Sequence, residues 1–258
     1  MTRRFSVHSY VLIACLTAAL MLSPSPAPAK ELQVVTIGVL IDGESERTMT
    51  LLDLLKTEID VLTRNEYDLS LPAEKTIIAD WTRAGVEIGM GQLLADDDVD
   101  LVLAVGAIAA DVAANRAVFP KPVITPLAID AQVQSFPFDP ASGGSGVFNF
   151  TYANILAPTN RDIQTFLEIH PFSKLAVIIQ PALAEAMPAL PGTALAPLAE
   201  LDVEAILVTA RATPAETVAA IPEEAEAVYV LPLMRFDGDD IEELAEDLKA
   251  RGLPSFSM

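Results

Sequence analysis

The chain has little of the chemistry that metal centres and nucleophilic enzymes need. Its 258 residues include one cysteine and two histidines, at Cys15, His8 and His170. A single cysteine excludes an internal disulfide, and two isolated histidines do not supply the ligand cluster of a zinc site. Ser-His or Cys-His catalysis would depend on His170, which precedes Pro171 at the end of a predicted helix. We therefore expect no metal, no cofactor and no enzymatic activity.

Positive charge is also scarce. Sixteen lysines and arginines stand against 36 aspartates and glutamates, which gives a net charge of -20 at pH 7. Such a balance offers no basic surface for nucleic acid or for an anionic membrane. It also repels anionic ligands unless a local cation compensates. An arginine near a predicted cleft therefore deserves consideration as a ligand contact.

The first 29 residues have the anatomy of an export signal. Arg3 and Arg4 precede an apolar stretch from Tyr10 to Leu22, which is too short to span a bilayer comfortably. Small residues at Ala27-Pro28-Ala29 then offer a cleavage site. We expect cleavage near Ala29 and a periplasmic mature protein that begins near Lys30.

A lipid anchor is the alternative fate of this segment. The sequence Leu12-Ile13-Ala14-Cys15 resembles a lipoprotein box and would place a lipid on Cys15. The apolar run continues to Leu22, whereas a lipidated chain normally turns polar after the cysteine, so we favour simple cleavage. No second apolar run of membrane length follows, and we expect no membrane span in the mature chain.

After Lys30, short apolar runs alternate with longer amphipathic ones. The run at 34–41 is continuously β-branched or aliphatic, as in a buried strand, and 45–62 repeats leucine and isoleucine at helical spacing. The same half contains predicted strands at 76–79, 100–105 and 122–126, and predicted helices at 82–95 and 107–117. This alternation predicts an α/β fold with a parallel sheet flanked by helices.

A turn-rich segment at 136–145 separates this half from a second one of the same type. We predict an N-terminal lobe at 30–135, an inter-lobe loop at 136–145, a second α/β lobe at 146–250 and a return strand toward the first lobe at 251–258. The second lobe has predicted strands at 146–150, 174–180, 203–209 and 227–232, with predicted helices at 161–169, 183–200, 214–221 and 239–251.

Several of these runs resemble one protein family in their order and spacing. The runs are Val99–Ala107 with Pro122-Val123-Ile124, Lys174–Pro181, Ala227–Pro232 and Ala250–Ser257. Together they are similar to ABC-transporter substrate-binding proteins related to tryptophan- and tyrosine-type uptake. The resemblance implies a periplasmic-binding-protein type I fold, with two Rossmann-like lobes that close on a small ligand, and ABC permease subunits as partners. It also implies a C-terminal truncation, because family members continue beyond the position of Phe256.

Ligands of open parallel sheets bind beyond the carboxyl ends of the strands, where loops and helix N-termini meet. This rule selects eight candidate ligand-binding residues. They are Asp42, Gly43, Gly106, Ala107, Asp130, Gln180, Met234 and Arg235.

Each candidate also has a purely structural interpretation. Asp42 can belong to a simple turn, Gly106 can let a helix begin close to its strand, and Asp130 can cap a loop. Arg235 can hold a ligand carboxylate through paired hydrogen bonds, and Gln180 can bind an amide or a carboxylate or merely end a strand. The sequence leaves these alternatives open.

The sequence favours an exported solute-binding protein that captures a small organic molecule, such as an amino acid, and presents it to an ABC permease. One alternative is a truncated interaction module of the cell envelope without a transport role. Another, less favoured, is an enzyme that uses carboxylates, since acidic residues are abundant but show no catalytic spacing.

Overall fold

Residues 32–153 and 159–257 are described by the computed structural model, and they form two parallel sheets flanked by helices. The predicted α/β fold class is confirmed. The signal-peptide, cleavage and lipidation predictions fall on residues 1–29, outside the described ranges. Within those ranges, no helix has the length and apolar character needed to cross a membrane.

The first sheet has its strands in the order β2-β1-β4-β5-β6, with β3 also paired to β1. Its strands are β1 (Gln33–Ile41), β2 (Tyr67–Ser70), β3 (Thr76–Ile78), β4 (Leu101–Val105), β5 (Val123–Thr125) and β6 (Phe150–Tyr152). Its helices are α1 (Glu46–Thr63), α2 (Arg83–Ala95) and α3 (Ala107–Ala114), and a short 3-10 turn spans Ala73–Lys75. The strands β1, β3, β4, β5 and β6 pair in parallel, so their carboxyl ends share one edge.

Strand β1 is buried on both faces from Ile37 to Ile41, which agrees with the apolar character of this part of the strand. Leu40 packs with Met90 of α2 on one face. Ile41, whose side chain points the opposite way, packs with Leu52 of α1 on the other. Two helices therefore cover the strand, and its carboxyl end is fixed between them.

The second sheet has four parallel strands in the order β10-β9-β7-β8. They are β7 (Lys174–Ile179), β8 (Glu204–Thr209), β9 (Ala227–Val230) and β10 (Ser255–Ser257). The accompanying helices are α4 (Thr159–Ile169), α5 (Pro181–Ala186), α6 (Leu190–Leu195), α7 (Pro214–Ala219) and α8 (Gly238–Ala250), with a 3-10 helix at Ala196–Leu201.

Two predicted lobe boundaries are wrong. The strand expected at 146–150 forms instead as β6 and pairs with β5 of the first sheet, where Phe150 stacks on Phe119 at a centroid distance of 5.3 Å. The strand expected to return toward the first lobe is β10, which pairs with β9 of the second sheet. Phe256 fixes it there by stacking on Phe166 and Tyr229. In both cases, an aromatic side chain of the strand packs against aromatic residues of the lobe that the strand joins.

The helix predicted at 183–200 is also wrong, because it is three short helical segments rather than one. Pro191 and Pro197 lie at the starts of the second and third segments, and Pro188 lies between the first two. Proline lacks a backbone N–H and fits only the first turn of a helix, so each one ends the preceding segment. Strand β2 was not predicted, and it is short and largely exposed.

The two lobes share one hydrophobic core. The largest cluster of buried side chains runs from Leu40 and Ile108 in the first lobe to Leu183, Met187 and Tyr229 in the second. Residues Val34–Met258 accordingly form a single compact unit. A shared core of this kind predicts that the two lobes unfold together.

Replacing Tyr229 tests this coupling. Its side chain is fully buried and its hydroxyl lies 3.2 Å from the Asp162 carboxylate. We expect Tyr229→Ala to lower the free energy of unfolding by about 3–5 kcal/mol within one cooperative urea transition, because it leaves a large cavity in the shared core. The control Tyr67→Ala, on exposed β2, should cost less than about 1 kcal/mol. Two separate transitions, with only one of them shifted by Tyr229→Ala, would show that the lobes have independent cores.

Candidate functional site

A cavity of about 400 Å³ lies where the two lobes meet, beyond the carboxyl ends of β1 and β4. Most of its lining is apolar, and its volume falls within the range of small-molecule sites. The first lobe contributes Asp42, Arg47, Thr48, Leu51, Trp81, Val105, Gly106, Ala107, Leu127, Ala128 and Ile129. The second lobe contributes Leu183, Pro232 and Met234. We refer to this space as the inter-lobe cavity.

Asp42 joins β1 to the N-terminus of α3. It follows the last residue of β1 and is only 3% exposed. One carboxylate oxygen accepts the N–H of Ile108 at 2.8 Å, and the other accepts the N–H of Ala109 at 2.7 Å. The carboxylate therefore satisfies two free donors of the helix N-terminus and lies where the helix dipole favours negative charge. Both of its oxygens are committed to the protein.

Burial shifts the pKa of Asp42 strongly. It raises the pKa of this carboxyl to about 7, although the N–H groups of Ile108, Ala109 and Ala107 act in the opposite direction. The group is therefore expected to titrate near neutral pH, well above an ordinary aspartate.

The close approach of α3 to the carboxylate of Asp42 accounts for the glycine at position 106. Its φ angle of 139° lies in a region that favours glycine. A Cβ atom at this position would lie 2.3 Å from the carboxylate of Asp42. The carboxylate of Asp42, the residue that follows β1, therefore leaves no room for a side chain at position 106. Gly106 and the following Ala107 also line the cavity.

Gly43 supports the indole of Trp81. A Cβ atom on Gly43 would lie 2.2 Å from Nε1 of Trp81, so the ring rests directly on the glycine. Trp81 has a φ angle of 65°, which is costly for a bulky residue, and its N–H donates to the backbone oxygen of Asp42 at 2.8 Å. Gly43 does not line the inter-lobe cavity, whereas Trp81 does.

The strand-end rule, as applied to the sequence, did not select Trp81 or Arg47. Trp81 lies shortly after β3, and applying the strand-end rule to that strand would have included it. Arg47 lies in the first turn of α1, which follows β1, and is exposed. It is the only cation among the described lining residues. Its guanidinium has no ion pair or hydrogen bond within ranges 32–153 and 159–257.

Gln180 and Arg235 line a different cavity, of about 460 Å³, within the second lobe. The backbone N–H of Arg235 donates to Oε1 of Gln180 at 3.2 Å, which orients the amide. Nε2 of Gln180 is buried and has no hydrogen-bond partner among the described residues. Pro232 and Met234 face the inter-lobe cavity while Leu233 and Arg235 face this second one, so the segment forms a wall between them.

Asp130 serves a local turn. Its carboxylate accepts the N–H groups of Gln132 at 2.9 Å and Val133 at 3.0 Å. The residue is buried and does not line the inter-lobe cavity, although its neighbour Ile129 does. This geometry agrees with the loop-capping interpretation.

The fold has close counterparts among solved structures, although neither family models nor curated proteins gave a match. An ABC domain from Streptococcus pneumoniae in complex with L-Trp is 12% identical, with a TM-score of 0.60 over 88% of this chain and 74% of that one. A conserved domain protein from Vibrio cholerae is 17% identical, with a TM-score of 0.57 over 88% and 74%.

Two further structures show how widely this fold is used. A solute-binding protein of an ABC transporter from Rhodopseudomonas palustris, in complex with 3,4-dihydroxybenzoic acid, is 15% identical with a TM-score of 0.53, over 87% of this chain and 61% of that one. A LacI family transcription regulator from Clostridium acetobutylicum is 10% identical with a TM-score of 0.51, over 86% and 78%. At these identities the likeness shows the fold, which is periplasmic-binding-protein-like of type I.

The titration of Asp42 gives a testable pH dependence. Its folded-state pKa of about 7 lies above the ordinary value of 3.8, so the folded protein binds the proton more tightly. We therefore expect the wild type to lose up to about 4 kcal/mol of stability relative to Asp42→Asn as pH rises from 4 to 7. Urea unfolding across that range measures the difference, with the exposed Asp60→Asn as control. A wild type that gains stability relative to Asp42→Asn as pH rises would contradict the assignment.

Proposed function

We propose that this protein binds a small organic solute in the inter-lobe cavity. The observation that carries the proposal is a largely apolar cavity at the carboxyl ends of parallel strands, with walls from both lobes. Ligands of open α/β sheets bind at this edge, and pockets of this size and composition suit small molecules.

Closure of the lobes around the solute is the proposed binding mechanism. Ala107 and Gly106 on one side, and Met234 and Leu183 on the other, supply contacts that exist together only when the lobes are close. A solute that touches both sides stabilises the closed arrangement through its differential affinity. Asp42 and Gly43 act on the solute indirectly, by holding α3 and the indole of Trp81.

Uptake through an ABC permease is the proposed context. The signal-like composition of residues 1–29 supports export to the periplasm. Two of the similar structures are an ABC domain and an ABC solute-binding protein, which agrees with this context. A regulator also shares the fold, but a net charge of -20 disfavours contact with nucleic acid.

We do not propose catalysis. In the described residues, His170 is exposed after the end of α4 and lines none of the described cavities. No group of three or more described histidines, cysteines or acids could hold a metal ion. An envelope interaction module remains the alternative, and a failure to bind any solute would favour it.

Blocking the cavity tests the proposed site. Leu51 lies in its wall on α1, and Leu62 lies on the same helix with 78% of its side chain exposed. We expect a small-molecule panel of amino acids, carboxylic acids and sugars to contain a solute that raises the melting temperature of the wild type. A ligand at 100 times its Kd stabilises by about 2.7 kcal/mol.

The two variants separate binding in the cavity from binding elsewhere. We expect Leu51→Trp to abolish the shift, because the larger ring fills the space, while Leu62→Trp retains it. Calorimetric titration of the same solute gives the affinities. A shift that survives Leu51→Trp unchanged would place the binding site elsewhere, and a cooperative unfolding transition that no solute affects would count against solute binding.

A further inference from the structure

The two charged side chains that line the inter-lobe cavity are not equally available to a ligand. Asp42 is 97% buried, and both of its carboxylate oxygens accept N–H groups from the first turn of α3. Arg47 is exposed and has no partner within the described residues. The charged group that the cavity leaves free for direct contact with a ligand is therefore the guanidinium of Arg47, although the chain as a whole is strongly acidic.

An amino acid presents a carboxylate and an ammonium group, and a buried charge of either sign is bound most strongly by a group of opposite charge. Arg47 can serve the first, through the paired hydrogen bonds that a guanidinium makes with a carboxylate. No lining carboxylate can serve the second without breaking the cap of α3, since Asp42 is the only acid in the wall. Desolvating an ammonium group without a partner is strongly unfavourable.

Other acids lie close to Arg47 but outside this cavity. Glu46 and Asp237 line an adjoining space, on a part of the surface that Arg47 also borders. Asp237 is further committed as the N-cap of α8, where it accepts the N–H of Asp240 at 2.8 Å. Neither acid lines the inter-lobe cavity, so a ligand inside it does not contact these carboxylates.

The rest of the wall suits an apolar body. Trp81 presents a ring that is held in place by Gly43, and Leu51, Val105 and Leu127 supply aliphatic surface. An aromatic ring can stack on the indole, and a branched aliphatic chain can fill the same space.

We infer that the cavity selects apolar monocarboxylates that lack an amino group, with Arg47 binding the carboxylate and Trp81 packing against the apolar body. This inference rests on the proposed solute-binding function and names its substrate class. Amino acids, the solutes that the resemblance implied, are then expected to bind more weakly than the same molecules without the amino group.

Matched pairs of compounds test the inference. The compounds 3-phenylpropanoate and L-phenylalanine differ by one ammonium group, as do 4-methylpentanoate and L-leucine. At pH 8, isothermal titration calorimetry should give the carboxylate of each pair at least about tenfold higher affinity. The uncharged 3-phenylpropanamide should also bind at least about tenfold more weakly than 3-phenylpropanoate.

Variants of Arg47 identify the group responsible. We expect Arg47→Gln to lower the affinity for 3-phenylpropanoate by about tenfold or more and to leave that for the amide almost unchanged. The control Arg64→Gln removes an exposed cation next to the other end of α1 and should change neither. Thermal unfolding of both variants confirms that they are folded.

The outcomes separate this inference from the proposed function. An amino acid that binds as tightly as its deaminated partner, or a carboxylate affinity that Arg47→Gln leaves intact, would overturn the inference and leave solute binding in place. If only sugars or other neutral solutes bind, the inference is likewise overturned while solute binding stands. Absence of binding by every compound would overturn both.

Discussion

The carboxylate of Asp42 is the interaction on which the site depends. It closes β1 onto the first turn of α3 through the N–H groups of Ile108 and Ala109. Gly106, which precedes α3, has to be a glycine because a Cβ atom there would collide with the carboxylate of Asp42. The backbone oxygen of the same aspartate accepts the N–H of Trp81, and so helps to fix the indole in the cavity wall. Asp42 thus positions both the N-terminus of α3 and the backbone of Trp81, whose indole lines the cavity.

The cap also changes the charge that a ligand meets. An acid in the wall of a binding site would ordinarily attract cations, but here its oxygens are occupied and the nearest unpaired charge is Arg47. The acidity of the whole chain does not determine the character of the cavity. Local hydrogen bonding therefore determines which charge is available for recognition.

The second lobe reaches the cavity through a core that both lobes share. Arg83 shows the connection in detail, since it lies 2.6 Å from the carboxylate of Asp111 in the first lobe and 3.3 Å from the backbone oxygen of Ala186 in the second. Burial of Leu183 and Met187 beside Ile108 adds apolar contact along the same boundary. Lobe opening has to break these contacts, so a solute that bridges the lobes acts in the same direction as they do.

The sequence predicted β4, β7 and β9 well, because their apolar runs reflect burial on both faces. The strand-end rule also found Asp42, Gly106, Ala107 and Met234, which all line the inter-lobe cavity. It did not separate Met234 from Arg235, since adjacent residues face opposite sides of one wall.

What the sequence could not supply was the three-dimensional consequence of local packing. The contact between Trp81 and Gly43 joins residues that follow different strands, and the spacing of residues in the sequence does not predict it. Likewise, the positions of β6 and β10 depend on aromatic stacking across distant parts of the chain.

Trp81 is the only tryptophan in the chain, so its fluorescence reports directly on the wall of the cavity. The most direct measurement is a titration of the wild type with 3-phenylpropanoate, followed by tryptophan emission. A saturable change in emission, with a midpoint that matches the calorimetric Kd, is the result that binding in the inter-lobe cavity predicts. Saturating calorimetric binding without any change in the emission of Trp81 would contradict it.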